Sequence, residues 1–233
     1  MIIHGFQKMT LLDYPSKVAC TLFTAACNLR CPFCHNAGLV TSINAAERID
    51  EEEILSYLKK RRGILDGVCI TGGEPTLQKD LADFIRRVKA LGYAVKLDTN
   101  GTSPDLLAAL IDEGLLDYVA MDVKNSKQKY AATVGLADYD LASVEKSVSL
   151  LLEGRVDYEF RTTVVAEYHT PADIADIAGW IKGAPRYFIQ PFVDSGNLIG
   201  SCDGMLSAPD AAILDEMVLA ARAAVPATVL RGA

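Results

Sequence analysis

Short β-branched and apolar runs alternate along the chain with longer segments of helical period. One helical segment follows each run, which is the pattern of a parallel α/β sheet. Strands are predicted at residues 18–23, 68–71, 94–98, 118–121, 158–165 and 187–190. Helices are predicted at residues 50–62, 77–91, 104–114, 144–152, 171–182 and 209–224, with a loop and a short helix over 125–140.

Six β/α units are too few to close an eight-stranded barrel. The pattern therefore predicts an α/β fold in which a parallel sheet with outer helices forms a partial, open (β/α)6 barrel. No repeat, low-complexity tract or linker interrupts the sequence. We expect a single domain that spans residues 1–233, a length that can bury one substantial core.

The first predicted strand runs into a cysteine-rich stretch with the pattern Cys27-x3-Cys31-x2-Cys34. Thiolates are the natural ligands of iron–sulfur clusters. A 4Fe–4S cluster normally takes four cysteines, so three of them leave one iron open, as in a catalytic metal site. A structural zinc is the alternative, with His35 as fourth ligand, although a residue adjacent to Cys34 is poorly placed for the same ion. Buried inert thiols are a third reading, and spacing alone favours the cluster without excluding the others.

Three further polar motifs follow the ends of consecutive predicted strands: Gly72-Gly73-Glu74-Pro75, Asp98-Thr99-Asn100 and Met121-Asp122-Val123-Lys124. The carboxyl ends of parallel strands meet at one edge of the sheet, where α/β proteins bind ligands and carry out chemistry. A random distribution would scatter such residues over both edges. The shared location therefore predicts an active site.

Gly72 and Gly73 remove side chains where the backbone must approach a ligand or adopt a positive φ angle. Their carbonyls could accept hydrogen bonds from a ligand ammonium group, whereas the alternative is an ordinary strand–helix turn. Glu74 could contact a ligand, but it could equally hold the first turn of the helix that follows.

Asp98 and Asp122 close adjacent predicted strands, so their carboxylates could converge. Two such acids need a cation, which could be a metal ion, a ligand ammonium group or Lys124. Lys124 is also a candidate partner for a ligand carboxylate. Arg161 lies inside the fifth predicted strand and reaches the site if it points inward. A purely structural ion network is the alternative for the two aspartates and Lys124.

Composition and charge restrict the kinds of partner that the protein is expected to bind. The 233 residues carry a net charge of −7, and the basic run at residues 59–62 ends a predicted helix, so a nucleic-acid partner is disfavoured. Residues 1–5 lack the features of a signal peptide, and no apolar run reaches the ~18–20 residues that cross a bilayer. We expect a soluble, cytoplasmic protein without a membrane partner.

Cytoplasmic thiols stay reduced, so the six cysteines indicate metal binding or chemistry before they indicate disulfides. Cys20, Cys69 and Cys202 are scattered singly, which disfavours a second cluster. The first two lie in predicted strands, where buried inert thiols are expected.

The cysteine motif followed by a strand-borne Gly-Gly-Glu-Pro resembles the radical S-adenosylmethionine superfamily. More narrowly, the chain is similar to the glycyl-radical-enzyme activating proteins, above all those of anaerobic ribonucleoside-triphosphate reductase. The resemblance covers most of the chain and is carried by residues 12–15, 31–36, 71–76, 96–101, 118–122 and 158–165.

The resemblance implies that Cys27, Cys31 and Cys34 ligate a 4Fe–4S cluster whose open iron binds the amino and carboxylate groups of S-adenosylmethionine. The implied cofactor-binding residues are Phe33, His35, Gly72, Gly73, Glu74, Asp98, Asp122, Lys124 and Arg161. A monovalent cation is implied on Asp98, Thr99, Met121 and Asp122.

The implied reaction begins with one electron from flavodoxin or a ferredoxin. This electron splits the sulfonium carbon–sulfur bond of S-adenosylmethionine and yields a 5′-deoxyadenosyl radical. The radical then takes a hydrogen atom from a backbone glycine of the partner, anaerobic ribonucleoside-triphosphate reductase. Because the cofactors carry this chemistry, no residue is assigned as general acid or base.

Two other readings stay open. One is a superfamily enzyme acting on a small molecule, like the deazaguanine-forming synthases; the other is a non-catalytic iron–sulfur or zinc protein. The chain also departs from the family pattern. Ala26 and Ser16 stand where glycine is usual, and Pro191-Phe192-Val193 lacks the histidine of formate-lyase activases.

Overall fold

The computed structural model of the protein describes residues 1–44, 47–194, 196, 198–199 and 205–232. These residues form an eight-stranded sheet whose strands lie side by side in chain order. The strands are β1 (Ile3–Thr10), β2 (Ala19–Thr24), β3 (Gly67–Gly72), β4 (Ala94–Thr99), β5 (Tyr118–Asp122), β6 (Asp157–Val164), β7 (Tyr187–Pro191) and β8 (Thr228–Leu230). The helices are α1 (Ala37–Thr41), α2 (Glu51–Lys60), α3 (Leu81–Ala90), α4 (Pro104–Asp112), α5 (Tyr130–Thr133), α6 (Ala142–Leu152), α7 (Pro171–Trp180) and α8 (Ala211–Arg222).

The sheet is parallel from β2 to β8, and β1 pairs antiparallel with β2. Among the described residues, β1 and β8 form the two edges and the sheet does not close. The prediction of an α/β fold with a parallel sheet, outer helices and an open barrel is confirmed. The six predicted strands correspond to β2 through β7.

Two strands, the short helix α1 and one helix start differ from the sequence prediction. β1 contains Gly5 and the polar pair Gln7 and Lys8, which weaken the strand pattern, and β8 has only three residues. The helix predicted from residue 77 begins at Leu81, because Pro75–Leu77 forms a separate 3-10 turn. Local turn chemistry therefore overrides the helical period at that point.

The helices cover the sheet with their apolar faces. In α3, Leu81, Phe84, Ile85 and Val88 are all buried, as their helical spacing predicts. Burying each such side chain stabilises the fold by about 1.5–3 kcal/mol before entropy is counted. None of the helices in the described ranges is both long enough and apolar enough to cross a membrane.

Two of the three singly scattered cysteines lie in the core, and the third lies outside the described residues. Cys20 lies on β2 and Cys69 on β3, and both are fully buried. Burial raises the pKa of the Cys20 thiol to about 12, so this thiol stays protonated and unreactive. Cys202 lies outside the described residues.

Candidate active site at the carboxyl edge of the sheet

A cavity of about 550 Å³ opens at the carboxyl ends of the parallel strands. This volume lies within the range of small-molecule sites. Except for Met121, every site residue predicted from the sequence lines it: Cys27, Cys31, Phe33, Cys34, His35, Gly72, Gly73, Glu74, Asp98, Thr99, Asp122, Lys124 and Arg161. The four motifs therefore share one space, as their positions at strand ends predict.

The cysteine loop leaves the end of β2 and is held by backbone contacts on two sides. The N–H of Ala26 donates to the carbonyl of Leu39 at 2.8 Å. On the other side, the N–H of Arg30 donates to the carbonyl of Val134, just after α5, at 2.9 Å. Ala26 has a φ angle of +73°, a left-handed conformation that costs a residue with a Cβ atom about 1–2 kcal/mol.

The thiols of Cys27, Cys31 and Cys34 are free and line the same cavity. Burial raises the pKa of Cys27, and it raises that of Cys31 to about 11 although the charge of Lys124 acts in the opposite direction. Such thiols need a metal partner to release their protons. The donor set, three thiols around one space, fits an iron–sulfur cluster.

A single zinc ion fits this space less well. Zinc needs its ligands about 2.0–2.3 Å from one point. In the part of the chain that the structure describes, no three His, Cys, Asp or Glu side chains are grouped to hold one metal ion. His35 instead packs against Phe192, with ring centroids 5.6 Å apart, and burial followed by the charge of Lys124 lowers its pKa. The cysteines therefore favour the cluster over the zinc alternative.

The Gly72-Gly73 pair lets the end of β3 close onto the cysteine loop. Gly72 has a φ angle of +119°, and a Cβ atom there would overlap the backbone of Thr24. A Cβ atom at Gly73 would overlap the carbonyl oxygen of Ala26. Both glycines are therefore required by close backbone approach within the protein. The Gly72 carbonyl already accepts a hydrogen bond from Nδ2 of Asn36 at 2.9 Å.

Glu74 is buried and holds backbone and side chains in place. Its Oε1 accepts from the N–H of Thr76 at 3.1 Å, the Thr76 hydroxyl at 2.6 Å and the Thr99 hydroxyl at 2.8 Å. Its Oε2 accepts from the N–H of Asn100 at 2.7 Å. Burial raises the pKa of Glu74 although these hydrogen bonds act to lower it. Between the two readings of Glu74, the structure supports the one in which it fixes the turn.

Five charged side chains form a continuous network of ion pairs across β4, β5 and β6. Lys96 Nζ is paired with Oδ1 of Asp98, and Nη1 of Arg161 lies 3.2 Å from Oδ2 of Asp98. Nε of Arg161 then lies 2.9 Å from Oδ1 of Asp122, and Nζ of Lys124 lies 2.9 Å from Oδ2 of Asp122. Arg161 therefore points inward, as its predicted role requires, and bridges the two aspartates.

Electrostatics keep all five groups charged. Burial acts to raise the pKa of Asp122, but Arg161 and Lys124 outweigh it and hold the pKa at about 2. Burial also acts to raise the pKa of Asp98, and Arg161 with Lys96 brings it below its usual value. The pKa values of the lysines and of Arg161 are raised by the aspartates, although burial opposes this.

Lys96 is a charged residue of this network that the sequence analysis missed. Its side chain is 2 % exposed, an unusual burial for a lysine. The available signal was the two-residue period of a strand, which places Lys96 on the same face as Asp98.

Thr99 and Met121 do not complete a cation site with the aspartates. The Thr99 hydroxyl donates to Glu74, and the side chain of Met121 is fully buried against Gly101. The carboxylate oxygens of Asp98 and Asp122 are occupied by protein cations. In this arrangement neither aspartate has a carboxylate oxygen free of a protein donor for the predicted inorganic cation.

The family model described as the Radical SAM superfamily matches residues 21–181. The chain belongs to the radical S-adenosylmethionine superfamily. Members of this superfamily use a 4Fe–4S cluster and S-adenosylmethionine, so both predicted cofactors are confirmed. The matched residues run from β2 to the end of α7 and include every residue that the sequence predicts for the site.

Curated relatives fall into more than one functional group of the superfamily. A protein of Methanocaldococcus jannaschii, provisionally named a glycyl-radical enzyme activating enzyme, is 36% identical over 82% of this chain and 80% of its own length. A 7-carboxy-7-deazaguanine synthase of Koribacter versatilis is 30% identical over 58% of this chain and 56% of its own.

The fold is shared with proteins of known structure at much lower sequence identity. Streptococcus suis SuiB bound to the precursor peptide SuiA superimposes with a TM-score of 0.70 at 14% identity. The match covers 91% of this chain and 48% of SuiB. At this identity the comparison supports the fold alone.

Proposed function

We propose that this chain is a glycyl-radical-enzyme activating enzyme that generates a glycyl radical on a partner enzyme, anaerobic ribonucleoside-triphosphate reductase. The observation that carries the proposal is the shared cavity, where three free thiols, the Gly72-Gly73 backbone and the Arg161–Lys124 cations face one space. The similarity to the M. jannaschii protein over 82% of this chain supports the activating branch. The narrower choice of reductase rests on the motif resemblance.

In this proposal Cys27, Cys31 and Cys34 hold the cluster, while Arg161 and Lys124 orient the carboxylate of S-adenosylmethionine. When bound, the reduced cluster supplies the electron that cleaves S-adenosylmethionine to methionine and a 5′-deoxyadenosyl radical. The protein's own part is to position this reaction and to exclude water. Burial of Phe33, at 4 % exposure, serves the second purpose.

Flavodoxin or a ferredoxin is the proposed electron donor, and the cytoplasm is the proposed location. We also propose that residues 1–233 act as one domain, since a single sheet carries all four motifs. The net charge of −7 continues to disfavour nucleic acid as a partner.

A small-molecule reaction is the second candidate function. It is favoured by the 30% identity to the K. versatilis 7-carboxy-7-deazaguanine synthase. That match covers 58% of this chain, against 82% for the M. jannaschii protein, so the activating function is preferred.

The test is an anaerobic assay of the reconstituted protein with dithionite and S-adenosylmethionine, with and without the reductase. We expect 5′-deoxyadenosine and methionine, and a doublet in the electron paramagnetic resonance spectrum when the reductase is present. Cleavage without a doublet would reject this partner and favour another substrate. No cleavage by a protein with an intact cluster would reject the catalytic reading.

Deuterium transfer separates the two candidate functions. With the partner's glycines deuterated, an activating enzyme transfers deuterium into 5′-deoxyadenosine. An enzyme that acts on a small molecule transfers no deuterium. The reductase with its radical-bearing glycine changed to alanine is the matched control, which should also give none.

A further inference from the structure

The carboxylate oxygens of the two aspartates in the cavity each have a donor from the protein itself. Lys96 is paired with Oδ1 of Asp98, and the Cys69 thiol lies 3.8 Å from the same oxygen. Nη1 of Arg161 lies 3.2 Å from Oδ2 of Asp98. On Asp122, Oδ1 is paired with Arg161 and Oδ2 with Lys124, both at 2.9 Å. The pair therefore does not need an inorganic cation for charge balance.

This network of five charged side chains carries an excess of positive charge. Lys96, Arg161 and Lys124 contribute three positive charges and the aspartates two negative ones, which leaves a net charge of +1. The side chains of Arg161 and Asp98 are only 14% and 13% exposed, so water screens this charge weakly. The net charge of these five residues therefore favours a ligand carboxylate over an added cation.

Arg161 has hydrogen-bond donors to spare. A guanidinium carries five N–H groups in a planar fork. Nε points to Asp122 and Nη1 to Asp98, and the side chain lines the cavity. Two contacts therefore leave further donors for a ligand.

We propose that Arg161 takes the place of a monovalent cation beside the carboxylate of S-adenosylmethionine, and that Lys96 is the positioning residue that holds Asp98 for it. This inference rests on S-adenosylmethionine as the ligand of the cavity, and it is independent of which substrate receives the radical. The cofactor then binds equally well whatever monovalent cation is present. Lys96 neutralises Asp98 from the core side, so Arg161 is not drawn entirely onto that carboxylate.

The experiment measures binding of S-adenosylmethionine to the reconstituted protein with an oxidised cluster, by anaerobic equilibrium dialysis without reductant. No cleavage takes place under these conditions, so the readout is a dissociation constant. Sodium, potassium and tetramethylammonium chloride are compared at equal ionic strength, since the last cation is too large for a carboxylate site. We expect dissociation constants that agree within about twofold. Binding at least about tenfold weaker in tetramethylammonium would overturn the proposal.

Variants test the assignment to Arg161. Arg161→Gln leaves both aspartates without their shared cation, so binding should become at least about tenfold weaker in tetramethylammonium than in potassium. Arg161→Lys restores a charge and should reduce this salt dependence. Lys96→Met should weaken binding in all three salts, and Lys60→Met removes an exposed lysine as the matched control. Native affinity of Arg161→Gln in all three salts would reject the role of Arg161.

Iron content and thermal unfolding are measured for each variant. If Arg161→Gln fails to fold or to load its cluster, the comparison of three salts on the native protein still decides the proposal. The proposed activating function fails by a different result, the missing glycyl radical, which leaves these dissociation constants unchanged.

Discussion

The backbone N–H of Glu74 donates to the carbonyl oxygen of Ala26 at 2.7 Å. This single hydrogen bond joins the end of β3 to the residue that precedes the first cysteine of the motif. It forms because Gly73 presents no side chain to the Ala26 carbonyl. The glycine pair and the cysteine motif are therefore structurally coupled, although Gly72 lies 45 positions after Cys27 in the sequence.

Gly73→Ala should separate these two segments. Its Cβ atom would overlap the carbonyl oxygen of Ala26, so the cysteine loop must move. We expect a loss of about 1–3 kcal/mol in the free energy of unfolding and reduced iron content after reconstitution. Urea unfolding and iron analysis measure the two effects.

Gly179→Ala is the matched control for that variant. A Cβ atom at Gly179 in α7 meets nothing within 4 Å. Alanine there should stabilise the helix by about 0.5–1 kcal/mol and leave the iron content unchanged. Equal iron loading by Gly73→Ala would contradict the coupling described here.

Ala26→Gly should stabilise the protein. Ala26 has a φ angle of +73°, which glycine adopts without the Cβ strain of about 1–2 kcal/mol. Part of this gain is offset by the greater freedom of glycine in the unfolded chain, so we expect about 1 kcal/mol from urea unfolding. Ser16→Gly, at a φ angle of +61° away from the cysteine motif, should give a similar gain. Destabilisation of both variants would reject the strain argument.

Cys31→Ala should abolish the cluster, because it removes one of the three thiols that face the cavity. Visible absorption and iron content after anaerobic reconstitution provide the measurement. Cys20→Ala removes a thiol that is buried on β2 and serves as the control. We expect it to lose some stability and to retain the cluster. Iron loading of Cys31→Ala at the native level would disprove the ligand assignment.

Asp122 should make the free energy of unfolding depend on pH under acidic conditions. Its pKa is about 2 in the folded protein against 3.8 for the free side chain. Because the folded pKa is depressed, the stabilisation is present above pH 3.8 and is lost as the pH falls towards 2. The full effect is about 2 kcal/mol, and roughly half of it is gone at pH 3.

Urea unfolding of the native protein and of Asp122→Asn at pH 6 and pH 3 tests this dependence. The difference between the two proteins should shrink by about 1 kcal/mol at the lower pH. Asp176→Asn, which removes an exposed carboxylate from α7, controls for net charge. A difference that stays constant between the two pH values would mean that Arg161 and Lys124 do not hold Asp122 ionised.

Sequence reasoning placed most of the site because strand ends are easy to locate. Once β3, β4 and β5 are assigned, Glu74, Asp98 and Asp122 must lie at one edge. The pattern could not decide what each carboxylate contacts. Glu74 has the same local signal as a ligand-binding acid, yet it binds the backbone N–H of Asn100 and the neighbouring hydroxyls. That outcome depends on the distance between β3 and β4, which the sequence does not contain.

Lys96 and the two edge strands were missed for different reasons. A lysine within a strand usually faces solvent, and burial of Lys96 is possible only because Asp98 is beside it on the same face. β8 is too short to stand out, and it forms because β7 offers a parallel edge to residues 228–230. The burial of Lys96 and the formation of β8 both result from tertiary pairing rather than from local sequence pattern.

The side-by-side order of the strands has a consequence for biosynthesis. Because each strand pairs with the one made just before it, the sheet can grow from the first strand outward as the chain leaves the ribosome. Asp98 and Asp122 emerge well before Arg161, so the nascent sheet carries both acids without the residue that bridges them. Lys96 and Lys124 balance the two acids before that point, so synthesis of β6 is the step at which these charged residues pass from neutral to a net charge of +1.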